Sequence, residues 1–172
     1  MFFRIIQSSI LILLLVLIGC SKSEEQVLTE AYDKVESVFV QEDTILNNGS
    51  NQGVPFYVPD YLEVVEEDDH NVILEGKNNV YIIFINNYEP PESKTMYDLA
   101  RTDDYLLYDP FESENMHGYL RVRKSNEEDK DSYEVQVGVG GVKITTNVKL
   151  KTVANEAEQL MKMAKSIVEE TF

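Results

Sequence analysis

YEVQVGVGGVKITTNVKL, residues 133–150, alternates apolar and polar side chains on either side of a glycine pair. Tyr133, Val135, Val137 and Val139 fall on one face of an extended chain. Val142, Ile144, Thr146, Val148 and Leu150 fall on the facing one, because strand side chains repeat every two residues. Gly140-Gly141 between them reads as a two-residue hairpin turn, where positive φ costs glycine little. The stretch therefore predicts two antiparallel strands with an apolar face that a further layer must cover.

Downstream, Thr152 caps a predicted helix to about Glu170 whose buried stripe is Val153, Ala157, Leu160, Met161, Ala164, Ile167 and Val168. Glu156 and Glu158 come early in it and Lys162 and Lys165 late, as the helix dipole prefers. Upstream, residues 118–123 predict a strand joined to the hairpin by a charged loop, 124–131. Residues 105–116 read as irregular because of Pro110, and 94–104 as a short helix with Met96, Leu99 and Ala100 inward. VYIIFI, 80–85, is the most apolar run and predicts a central strand covered on both faces.

Residues 61–65 and 71–75 predict a hairpin turning at 66–70. Residues 54–58 predict an edge strand, since Pro55 lacks an amide donor. Residues 42–53, with Asn47-Asn48-Gly49-Ser50-Asn51, read as a loop, and Asn48-Gly49-Ser50 as turn chemistry rather than a glycosylation site. Before them, Ser23 and Gln26 form a capping-box pattern ahead of a helix to about Gln41, striped by Val27, Leu28, Ala31, Val35, Val38 and Phe39. The expected fold class is α+β: a largely antiparallel sheet of about six or seven strands covered by an N-terminal and a C-terminal helix, which can take one face each.

The first residues read differently. Met1 to Arg4 is a short cationic start, and Ile10 to Ile18 is an unbroken apolar run too short to span a bilayer. It ends in Leu17-Ile18-Gly19-Cys20. This resembles the lipobox of bacterial lipoproteins. The resemblance implies removal of residues 1–19 as a signal peptide and a diacylglyceryl thioether on Cys20. It places the rest of the chain on the extracytoplasmic face of the cell membrane, where polar residues 20–26 read as a short tether and the length of 27–172 as a single globular domain. Cysteine suits that chemistry because its thiolate is a soft nucleophile. It is the only cysteine, so the domain forms no internal disulfide.

The element order, with a late strand pair, a long terminal helix and Phe172, also resembles the PsbP/Mog1-like α/β/α sandwich over most of residues 54–172. That resemblance carries over no functional residue. It implies only a fold that serves as a binding and assembly module in its members.

The net charge is −16, and loss of residues 1–19, whose one charge is Arg4, makes it −17. Such a field argues against nucleic acid as a partner and against lying flat on anionic lipid, so no nucleic-acid partner is expected. The sequence has no Gly-x-Ser-x-Gly elbow and no His-Glu-x-x-His, and its two histidines, His70 and His117, stand far apart. Gly138-x-Gly140-Gly141 joins two strands and opens no helix, so it lacks the dipole of a phosphate loop. No cofactor or metal is expected. The acidic runs 66–69 and 126–131 are rich in calcium-type oxygen donors but lack the spacing and turn glycine of a calcium loop.

The best candidate site is aromatic. Tyr105, Tyr108, Phe111 and Tyr119 stand among Asp103, Asp104, Asp109, Glu112 and Glu114. With Asp109 they suggest a ring-lined groove for a cationic peptide or glycan, since aromatic faces attract cations. The leading expectation is a non-catalytic envelope binding or assembly module whose partner is an envelope protein or such a ligand. The alternatives are an envelope enzyme using carboxylates of 103–114 on a wall or lipid-linked substrate, and a calcium-responsive acidic module.

Overall fold

In a computed structural model, which describes residues 22–42, 45–51, 54–102, 104–125 and 131–171, the capping box forms as the sequence predicts. Ser23 Oγ accepts from the Gln26 amide (3.2 Å), and Gln26 Oε1 accepts from the Ser23 amide (2.9 Å). Helix α1, Glu24–Val40, follows and buries Val27, Ala31, Val35, Val38 and Phe39.

The next segment departs from its expected form. Gly49–Asn51 (β1) pairs with Val54–Phe56 (β2) in a separate two-stranded ribbon, so 54–58 is not an edge of the main sheet and 42–53 is not all loop. The asparagine-rich sequence is what makes this work. The side-chain amide of Asn48 donates to the Val58 carbonyl (2.8 Å) and accepts from the Val58 amide (2.7 Å), replacing a strand partner.

Strands β3 (Glu63–Glu67) and β4 (Asn71–Glu75) form the expected hairpin, with a bulge between Val64 and Glu66. Strand β5 is Val80–Ile85, and the one-turn helix α2 is Thr95–Leu99. Then come β6 (Leu107–Glu112), β7 (His117–Lys124), β8 (Ser132–Val139) and β9 (Val142–Lys149). A 3-10 turn, Leu150–Thr152, leads into helix α3, Val153–Thr171.

The main sheet has seven strands, all antiparallel, in the order β3-β4-β5-β9-β8-β7-β6. The opening hairpin is its middle, with Val139 opposite Val142 and Gly140 at φ +52°.

Both long helices pack on one face of this sheet, side by side, rather than one on each. That face presents Val135, Val137, Val139, Ile144, Leu120 and Val122, all buried. Gly118 also faces it, where a Cβ would lie 2.7 Å from the Phe39 ring. A consequence is that β5 is covered on one face only. Tyr81, Ile83 and Ile85 are buried, while Val80 and Ile82 are 48% and 49% exposed. The continuous apolar run therefore does not report burial on both sides here.

The opposite face receives a strap, residues 86–102 and 104–106, over its β6–β7–β8 half. The Asn86 amide donates to the Gly141 carbonyl (3.0 Å) and the His117 amide to the Pro91 carbonyl (2.9 Å). The expected helix at 94–104 shrinks to α2, which buries no side chain. Leu99 is 76% exposed instead of inward. The segment 105–116, expected to be irregular, contains β6. Pro110 is accommodated because β6 is the last strand of the sheet and needs no donor on its outer edge.

Candidate functional site

Strand β6 alternates between the two faces of the sheet, and this divides the predicted aromatic site. Tyr108 points to the strap face, together with Tyr119 of the neighbouring strand, while Asp109 and Phe111 do not share a face with Tyr108. Phe111 is buried between Tyr32 (centroids 5.2 Å apart) and Phe39 (5.8 Å) beneath α1. It is a core residue. Asp109 lies on the same helix side, lining a groove against α1. The five predicted residues thus form a set of three and a separate pair.

The set of three gains partners that the sequence reading missed. Tyr105 stacks on Tyr108 (4.9 Å, 14°), and Tyr108 stacks on Tyr97 of α2 (4.6 Å, 0°). Tyr97 then meets the edge of His117 (5.2 Å) and the Tyr119 ring (5.9 Å). The Tyr108 hydroxyl donates to the Tyr97 carbonyl. The Arg121 guanidinium lies over Tyr105 (5.0 Å), donates to its hydroxyl (3.1 Å), and pairs with Glu134. Glu134 is also gripped by two nitrogens of Arg123, at 3.0 and 2.8 Å. Burial pushes the Glu134 carboxyl up, but the two guanidiniums outweigh it and hold it below its usual range.

These rings fill one another's faces. The layer is packed onto the sheet by the strap. Three buried polar atoms beneath it, Tyr119 Oη, Arg121 Nε and Gln136 Oε1, have no hydrogen-bond partner among the described residues.

Two carboxylates of 103–114, Asp104 and Glu112, have separate partners. Asp104 pairs with Arg123 (3.3 Å) and Glu112 with Lys94 (2.6 Å), while Asp109 faces α1. Asp103 lies outside the described residues. In the first acidic run, the Asp68 carboxylate accepts from the His70 and Asn71 amides (2.8 Å each) and so builds the β3–β4 turn. Residues 126–130 of the second run lie outside the described residues. Among the described residues, no group of three His, Cys, Asp or Glu side chains is placed to hold a metal ion.

Two larger concavities stand out among the described residues. One, of about 770 Å³, lies on the uncovered half of the strap face and is lined by Val80, Ile82, Thr145, Asn147, Lys149 and Lys151, among others. The other, of about 590 Å³, is a wedge between α1 and β6. Its α1 lining runs from Glu24 to Tyr32, the first half of that helix. Leu28, Leu106 and Leu107 make its apolar lining, and Glu24, Glu25 and Asp109 its acidic one. Glu24 is held anionic: a hydrogen bond from the Tyr133 hydroxyl (2.6 Å) and Lys124 (3.4 Å) keep its carboxyl below its usual range.

No family profile, curated protein or solved structure matches this chain. No described helix is long and apolar enough to cross a membrane.

Proposed function

We propose that the chain is a lipid-anchored, non-catalytic binding or assembly module on the extracytoplasmic face of the cell membrane. The anchor in this reading is Cys20, at the end of Leu17-Ile18-Gly19-Cys20. The observation that carries the binding role is the wedge between α1 and β6. It combines an apolar lining with carboxylates, and that lining includes Glu24 and Glu25, the first residues of α1. Glu24 follows Cys20 by only four residues, a span of at most about 14 Å of extended chain. A partner in the wedge would thus be held close to the anchoring point. Asp104 and Glu112 pair with different cations, Arg123 and Lys94, which favours this reading over an enzyme built on those carboxylates.

The test is cell fractionation of a Cys20→Ser variant produced in a bacterium. The variant is expected to lose lipid anchoring, appearing either unprocessed in the membrane or processed and released. Recovery of a processed variant in the membrane to the same extent as the parent would contradict the reading.

A further inference from the structure

We infer that the wedge between α1 and β6 is a docking site for a cationic, amphipathic segment of a partner protein. This deepens the binding-module reading and rests on it. Leu28, Leu106 and Leu107 offer apolar surface, and Leu106 is exposed although it lies beside the core. Exposed apolar surface edged by charge is the usual form of a protein contact rather than of a solvated face. The wedge is an open groove rather than an enclosed cavity, which suits a chain segment better than a small molecule.

Charge selects the segment. Glu25 and Asp109 flank the apolar lining, and Glu24 is kept ionised by Tyr133 and Lys124. The whole chain adds a field of −16. An acidic or neutral segment would bury Glu25 and Asp109 without a cation, which is costly. A segment carrying Lys or Arg opposite its apolar side chains would pair with them and be drawn in by the long-range field.

The experiment uses the full chain in detergent micelles and a labelled peptide of alternating leucine and lysine, followed by fluorescence anisotropy. The peptide is expected to bind with an affinity that falls as salt rises. Peptides of the same length that alternate leucine with glutamate, or serine with lysine, are expected to bind at least about tenfold more weakly, a difference of about 1.4 kcal/mol. Glu25→Lys/Asp109→Lys is expected to weaken binding about tenfold. Glu63→Lys/Glu66→Lys, the same charge change on the exposed β3 strand at the far edge of the sheet, should leave it within about twofold. Leu106→Ser, which keeps the charge, is expected to weaken it about fivefold and guards against misfolding of the Asp109 variant.

Equal loss in both charge-reversal variants, no loss in Leu106→Ser, or no binding by the parent would each overturn the inference. None of these outcomes bears on lipidation of Cys20. Conversely, a failed lipidation test would leave the peptide result standing.

Discussion

The ammonium of Lys165, on α3, donates to the main-chain carbonyl of Phe39 at the end of α1 (3.3 Å). It also donates to the carbonyl of Val38 (3.2 Å) and to that of Gln41. Helix α1 has no basic residue in its own last turn. Its terminal carbonyls, which have no partners within the helix, are therefore satisfied by a side chain from the helix beside it. Lys165 is only 2% exposed, so a buried charge is balanced by carbonyl dipoles and, at 3.8 Å, by Glu169.

Lys165→Met keeps the aliphatic length and removes the charge. It leaves three carbonyls at the α1 terminus short of a donor, and it is expected to cost about 2–4 kcal/mol. Urea unfolding measures this. A stability equal to the parent's would show that the contact contributes nothing net.

Gly138 and Tyr119 test the packing of the strap face. A Cβ on Gly138 would lie 2.2 Å from the Tyr119 ring, which is 1% exposed and has no free space to move into. Gly138→Ala is expected to destabilise by about 1–3 kcal/mol. In the double variant with Tyr119→Leu, the alanine should cost much less than it does alone. Additive losses in that cycle would mean the two positions do not clash.

Stability should fall in mild acid because of His117. Burial, reinforced by Lys94, lowers its pKa from the ordinary value, while Glu112 and Asp98 pull weakly the other way. The unfolded chain then takes up a proton before the folded one does. Stability falls as pH drops below about 6.5, by at most about 1.4 kcal/mol per pH unit, and levels off below the folded pKa. His117→Gln should flatten this slope. A second loss is expected below about pH 4.5, as Glu134 and Glu158 protonate. Burial raises both, but Arg123 and Arg121 outweigh it at Glu134, and Lys162 and Lys34 at Glu158. Thermal melts of parent and variant across this range separate the two windows.

Several phenols should resist alkali. Burial pushes Tyr81 and Tyr108 up to about 12. Tyr133 reaches about 12 through its hydrogen bond to Glu24, with burial adding to it. Glu24→Gln removes the charge beside Tyr133 and should bring one phenol's titration down, read as ultraviolet absorbance against pH. An unchanged curve would mean that Glu24 does not govern Tyr133.

The hairpin at 133–150 was legible because period-two alternation and a glycine pair are local signals, and so was the Ser23–Gln26 capping box. Strand β6 was not, because Pro110 is read as a breaker unless the strand is already known to lie at an edge. That error also misplaced Phe111: once 107–112 is a strand, parity alone separates Phe111 and Asp109 from Tyr108. The open face of β5 was hidden because an apolar run looks the same whether one side or both are covered. Aromatic density pointed to Tyr105, Tyr108 and Tyr119. Arg121, two residues after Tyr119 on β7, shares its face by parity. Tyr97 joins only through the path of the strap, and the wedge exists only through the packing of α1 beside β6. Such contacts between distant segments leave no periodic trace in sequence. Lys165 was read as serving its own helix, when the neighbouring helix is the one it caps.

The most direct test of the lipid-anchored reading is the intact mass of the protein extracted from bacterial membranes. The account predicts a chain that begins at Cys20, lacks residues 1–19 and carries a diacylglyceryl adduct on that residue. A chain that retains Met1, or one with an unmodified Cys20, would contradict it.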